Sequence, residues 1–329
     1  MSNIELYALT NILVLFHCIN YIKNYLLNII YKNYNFFIFF VSFLLFFLFS
    51  NFNLSGQTFS LDSNGVTVKC SGCSNGDTGT VGGVIYTAVD NTTIRLTADG
   101  DWDTIVTTLV TDMSGLFSGD VDFNENISSW HTVSVTTMED MFRGASAFNQ
   151  DLSEWDTSGV LNMQQTFYNA IAFTNNINDW DVSLVTDMDG MFRGATSFNQ
   201  PLNSWTVSNV LSMSNMFRDA SAFNQPLNSW DVSKVKYMQF LFKSTIYNQP
   251  LNNWDVNSVL NMQEMFMGGD FNQPINNWNV SNVTNMSKLF RGTDFNQPLN
   301  SWTVSKVTNF GQMFMDNDKF NQPLDNWNV

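Results

Sequence analysis

One short phrase, copied end to end, constrains this chain more than any other feature. Residues 198–220 read FNQPLNSWTVSNVLSMSNMFRDA, and the next unit opens at Phe223 with the same FNQPLNSW. Nine units start in this way, at Phe123, Phe148, Phe173, Phe198, Phe223, Tyr247, Phe271, Phe295 and Phe320, so the period is 25 or 24 residues. A unit of that size cannot bury its own apolar face. Stacked neighbours must supply the core, which is the logic of a solenoid.

With the opening Phe as position 0, apolar residues recur at 0, 4, 7 (Trp), 9, 12, 15 (Met), 18 and 19 (Phe). Positions 7 and 9 are two apart, as on a strand, whereas 15, 18 and 19 are three and four apart, as on one face of a helix. The sequence therefore predicts an α/β fold with one short parallel strand and one short helix in each 24–25-residue coil. Capping residue types at position 14 (Asn162, Asp187, Ser212, Asn261) and Asp140, Gln165, Glu264 and Gln312 at position 17 resemble a capping box. Gly144, Gly194, Gly268 and Gly292 at position 21 suit a left-handed end. All six prolines fall at position 3, the entry to the expected strand. Phe-to-Trp and Trp-to-Phe intervals never change, and only the connector after the helix Phe varies between six and five residues.

The flanks differ in character. Residues 36–49, FFIFFVSFLLFFLF, form an uncharged run of 14, shorter than the roughly 18–20 residues of a membrane span. Lys23 and Lys32 precede it and small residues follow, so 1–56 reads as an export signal with cleavage near Gly56. The rival reading is an uncleaved membrane hairpin, because the segment before the run is long and itself apolar. Residues 57–101, with β-branched runs between Gly and Asp, read as a small β-rich N-terminal cap over the first coil. Cys70 and Cys73 within it are candidates for a local disulfide, since zinc needs four ligands and a thioredoxin-type site needs a βαβ setting. Residues 102–122 read as a degenerate half-repeat whose Trp102-to-Met113 interval is three residues too long. The array then occupies 123–329, its last unit stopping at position 9, from which either a truncated product or a missing capping and attachment region is expected.

Charge narrows the function. Net charge is −15, and setting aside Glu5, Lys23 and Lys32 leaves 28 acidic against 12 basic side chains in the remainder. Phosphate backbones repel such a surface, so no nucleic-acid partner is expected. A catalytic group is placed once, while a scaffold residue is placed nine times. His131 breaks the repeat at position 8 but has no partner His or Cys, and no enzyme is expected.

The nine array tryptophans read as a buried internal ladder, the alternative being an aromatic platform for sugar rings. Positions 6 and 8 then look outward as an acid-rich ribbon. Its binding candidates are Glu154, Asp156, Asp179, Asp181, Asp231 and Asp255. Glu154, Asp156, Asp179 and Asp181 fall on adjacent coils, where a calcium ion between them competes with a solvated patch. Arg143, Arg193, Arg218, Lys243 and Arg291 form a second row at position 20, a solvated edge or a dock for an acidic partner.

The repeated word FNQPLNSW and the consensus that follows it, DVSNVTNMSNMF, resemble the repeat of BspA-type leucine-rich-repeat surface proteins, also found in mycoplasma lipoproteins, over residues 102–329. The resemblance implies a leucine-rich-repeat-like solenoid in an exported cell-surface or secreted protein that acts in adhesion or protein–protein interaction, with no catalytic residues to carry over. Extracellular or cell-surface proteins are the expected partners, glycans the alternative, and the membrane is met only through the N-terminal segment. No Cys suited to lipidation lies just after the expected signal, a departure from the lipoprotein pattern.

Overall fold

The computed structural model describes Ile19, Ile22, Lys23 and residues 56–329. The expected signal or membrane segment therefore lies almost wholly outside the described residues. Residues Gln57–Val329 form one compact unit.

The chain enters that unit through two hairpins. Strands β1 (Thr58–Leu61) and β2 (Val68–Ser71) pair antiparallel, as do β3 (Thr78–Val81) and β4 (Val84–Ala88). β4 then pairs in parallel with β5 (Ile105–Val106), which already belongs to the first coil. Asn91 closes the same edge further along: its Oδ1 accepts the Thr111 and Asp112 N–H groups at 2.8 and 3.1 Å, and Arg95 donates to Ser114 O at 2.8 Å. Backbone groups that the first coil would leave open thus find partners in the 57–101 segment.

Beyond β5 the fold departs from expectation. The α/β solenoid with one strand and one helix per coil is overturned, because residues 107–329 hold no α-helix and no strand longer than a single-residue bridge. Parallel bridges run instead through position 14, from Asp112 to Thr137, Asn162, Asp187, Ser212, Tyr237, Asn261, Asn285 and Asn309. At position 13, Leu161 N–H donates to Thr136 O and Thr186 N–H to Leu161 O, and this chain of bonds also continues along the stack.

The segment expected to be helical is a run of turns. Met141 N–H donates to Met138 O, Arg143 N–H to Asp140 O and Ala145 N–H to Phe142 O, each spanning three residues rather than the four of a helix. Asp140 and Gly144 have φ of +54° and +74°, as the third residue of a type II turn requires. The intervening N–H groups turn to the next coil: Met138, Asp140, Phe142 and Gly144 donate to the carbonyls of Asn162, Gln164, Thr166 and Tyr168 at 2.6–3.0 Å. A six-residue helix could close only a couple of internal bonds against a costly nucleus. The turn run sends four bonds across every coil boundary instead. Position 17, assigned above to a capping box, is the left-handed site of the first turn even where it is Gln165, Phe240, Glu264 or Lys288. That conformation costs roughly 1 kcal/mol or more for such residues, offset by the inter-coil bonds it permits.

The Trp segment is likewise turned, not extended, since Trp155 N–H donates to Leu152 O and Val160 N–H to Thr157 O. Its indole is buried all the same. From Trp130 to Trp302 no array Trp is more than 4% exposed, and each Nε1–H donates to the position-4 carbonyl of the preceding coil, as Trp205 does to Ile177 O at 3.0 Å. Indoles of adjacent coils stack with centroids 5.8–6.5 Å apart in the pairs Trp130–Trp155, Trp155–Trp180, Trp205–Trp230, Trp254–Trp278 and Trp278–Trp302. Two phenylalanine columns, at positions 19 and 0, run beside them and meet at about 4 Å between Phe142 and Phe148.

Trp102 is not an out-of-phase copy of this ladder. Its carbonyl accepts the Trp130 indole at 2.9 Å, so it holds position 4, and Ile105 fills the Trp slot. The preceding coil is in register, without the three-residue excess inferred from the Trp spacing. The repeated Asn-Gln pair also has a structural duty: Asn224 Oδ1 accepts the Asn248 N–H at 3.0 Å and the Gln249 side chain at 3.3 Å, and the pattern recurs from Asn248 and Asn272.

Candidate functional site

With the aromatic columns inward, the outer face of the Trp segment is built from positions 5, 6 and 8. Glu154, Asp156, Asp179, Asp181, Asp231 and Asp255 are all exposed on it. They stand on turns, not on the strand face expected for them. The position-8 aspartates are partly committed to their own backbone: Asp156 Oδ1 accepts from Ser158 N at 3.0 Å and Ser158 Oγ at 2.6 Å, and Asp181, Asp231 and Asp255 accept the N–H two residues on at 2.9–3.0 Å. These are Asx turns, which leave one oxygen of each carboxylate to solvent. Bonds from the Ser233 side chain and backbone hold Asp231 below the usual carboxylate range.

Glu154 and Asp179, at position 6 of adjacent coils, face water with neither a hydrogen bond nor an ion pair within the protein. Among the described residues no group of three or more His, Cys, Asp or Glu side chains is placed to hold a metal ion. Cys70 and Cys73 are joined as a disulfide, with Cα atoms 5.9 Å apart. His131 is partly buried, its Nδ1 has no partner, and burial lowers its pKa against the opposing pull of Asp62.

The same face changes along the stack. Towards its C-terminal end a groove of about 650 Å³ opens over the units that start at Tyr247, Phe271 and Phe295, with Asn277, Asn279, Ser301 and Thr303 among its walls. Sequence reasoning places these residues on the outward ribbon but takes its binding candidates from the carboxylates alone. The available signal was the switch at positions 6 and 8 from carboxylates to amides and hydroxyls.

The position-20 row lies on the turn run, where it is occupied with neighbours. Tyr168 is sandwiched between the Arg143 and Arg193 guanidinium groups, 5.2 and 5.0 Å from its ring centre, and Arg218 and Lys243 flank Phe240 in the same manner. Arg218 also meets Asp219 at 3.2 Å and Arg291 meets Asp316 at 3.2 Å. Lys243 and Lys288 close on Glu264 from two different coils, at 2.7 and 3.1 Å. Burial pushes the Glu264 carboxyl up, but hydrogen bonds from Lys243, Lys288 and Gln263 outweigh it and hold the group below its ordinary value. Burial lifts nearby Asp189 above the ordinary range in spite of a bond from Asn215.

The repeat that builds this face carries its own assignment. The family model described as "Mycoplasma protein of unknown function, DUF285" matches three overlapping segments, 86–188, 172–270 and 244–329. The chain belongs to the DUF285 family. The match begins in β4 and runs to Val329, so the DUF285 region takes in the first coil and the whole array. No curated protein and no solved structure matches the chain.

Proposed function

We propose that this DUF285 protein is an exported, non-catalytic surface scaffold that holds extracellular proteins along the acidic half of its outer face. One observation carries the reading: the apolar side chains that repeat are consumed by packing, while the outward position 6 varies from coil to coil. Trp, Phe and Met of successive coils are buried against one another, while position 6 runs through Ser, Glu, Asp and Asn on the surface. Variation on a fixed frame suits contact with a partner, and repeated weak contacts on adjoining coils add as avidity. The resemblance to BspA-type surface proteins and the apolar run at 36–49 fit adhesion outside the cell.

Exposed carboxylates at Glu154, Asp156, Asp179 and Asp181 select a cationic partner surface and make association depend on salt. The test is capture of extracellular-matrix and cell-surface proteins by the full chain, against a Glu154→Gln, Asp156→Asn, Asp179→Asn, Asp181→Asn variant. A basic protein retained by the parent, released as salt rises and lost in the variant is the expected result. Equal capture by both chains, or capture insensitive to salt, would falsify the reading.

A further inference from the structure

We propose a second binding site on this protein: the groove over the units opening at Tyr247, Phe271 and Phe295 holds an uncharged carbohydrate chain. Its walls are Asn252, Asn276, Asn277, Asn279, Ser301 and Thr303, and Pro274 and Trp278 complete the lining. None of them carries a charge. Amides and hydroxyls both donate and accept, which is also the bonding character of a sugar hydroxyl. A charged peptide would find no counter-ion there, whereas a neutral polyol finds complementary groups at every wall. The volume, about 650 Å³, falls within the range of small-molecule sites.

The walls are also held in place before any ligand arrives. Asn276 Nδ2 donates to Ser301 Oγ at 2.9 Å and its Oδ1 accepts Ser301 N–H at 3.0 Å. Asn277 Nδ2 donates to Asn252 O at 2.6 Å, and Asn279 Nδ2 to Asn257 Oδ1 at 2.8 Å. Side chains fixed in this way lose little further freedom on binding, which removes one of the main costs of association. Bonding capacity remains: Asn277 Oδ1 and the Thr303 hydroxyl have no protein partner, and the Ser301 hydroxyl accepts from Asn276 while its own proton stays available. Pro274 offers an apolar surface to the C–H face of a sugar ring. An aromatic platform has no role in this site, because Trp278 is only 3% exposed. The inference is independent of the acidic-half reading, since none of the six ribbon carboxylates lines the groove.

The experiment passes the full chain over an array of neutral, sialylated and sulfated oligosaccharides, then titrates the best-retained neutral member into parent and variants. Neutral members should be retained in preference to acidic ones. Asn277→Ala with Thr303→Val, both at exposed positions, should weaken binding about tenfold while tryptophan emission and melting temperature stay at parent values. If the pair melts early, the near-isosteric Thr303→Val alone is read, with a loss of about threefold or more expected. The acidic-half variant should bind the sugar as the parent does, which separates this site from the protein-binding face. Retention of acidic members alone, retention of none, or undiminished affinity in the groove variants overturns the proposal.

Discussion

The units opening at Phe148 and Phe173 and those opening at Phe271 and Phe295 share one interior and differ on the outside. Trp155 and Trp180 stack at 6.5 Å and 1°, Trp278 and Trp302 at 6.5 Å and 2°. Phe167–Phe192 and Phe290–Phe314 are spaced alike, at 5.6 and 5.8 Å. Outward, the first pair shows Glu154, Asp156, Asp179 and Asp181, and the second shows Asn277, Asn279, Ser301 and Thr303. Identical packing under unlike surfaces separates two jobs. Close-packed columns tolerate no change of volume, whereas solvated positions cost little to alter.

The largest test strikes the shared interior. Trp180→Ala and Trp278→Ala should each lower stability by about 3–5 kcal/mol in denaturant unfolding, within about 1 kcal/mol of one another. A much smaller loss at Trp278 would break the claim of a common core.

Next comes the ion triad between Phe223- and Phe271-type coils, which has no counterpart in the first pair. Glu264→Gln leaves Lys243 and Lys288 facing each other and should cost about 2 kcal/mol, less than a fully buried pair because both lysines keep solvent contact. The same triad sets a pH dependence. Its carboxyl titrates below its unfolded value, so its contribution is complete above about pH 4.5 and disappears as pH falls through the lowered folded pKa. Acid unfolding of Glu264→Gln should therefore begin from a lower plateau and be shallower in that window. An identical slope in parent and variant would remove the triad from the account.

Smaller still is Tyr247, the one tyrosine in the position-0 Phe column. Its hydroxyl is buried with only the Leu227 backbone within reach and no well-formed hydrogen bond, and burial raises its pKa beyond the normal range. Tyr247→Phe should raise stability by roughly 1 kcal/mol, visible as a higher melting temperature. The smallest effect belongs to the outer face: Asp181→Asn should change stability by less than about 0.5 kcal/mol, since Asn279 keeps the same turn to Ser281 with an amide. Partner capture by the acidic half, and its salt dependence, should nevertheless fall.

Much of the interior was legible beforehand because burial follows from repetition. Trp130 to Trp302, the position-15 Met residues Met138 to Met286, and the Phe columns recur at fixed intervals and are buried. The helix was not legible. Apolar residues at 15, 18 and 19 fit a run of overlapping turns as well as a helix, since both return the chain to one face after three or four residues. Nothing in Gln165, Phe240 or Lys288 announces a positive φ; it is imposed by the bonds to the neighbouring coil. Trp102 misled for a related reason. Residue type suggested position 7, while the hydrogen bond from Trp130 fixes it at position 4. On the outer face the acids were visible as exposed candidates, and their Asx turns are local, spanning two residues, but the amide groove and the Lys243–Glu264–Lys288 contact join residues that only stacking brings together.

By itself the sequence determined that one apolar set must be shared between neighbouring copies, because a unit of 24 or 25 residues has too little interior of its own. Only the tertiary structure decided what each copy would look like. Backbone groups at a coil boundary can bond inward or to the next coil, and that choice depends on the neighbour being in place.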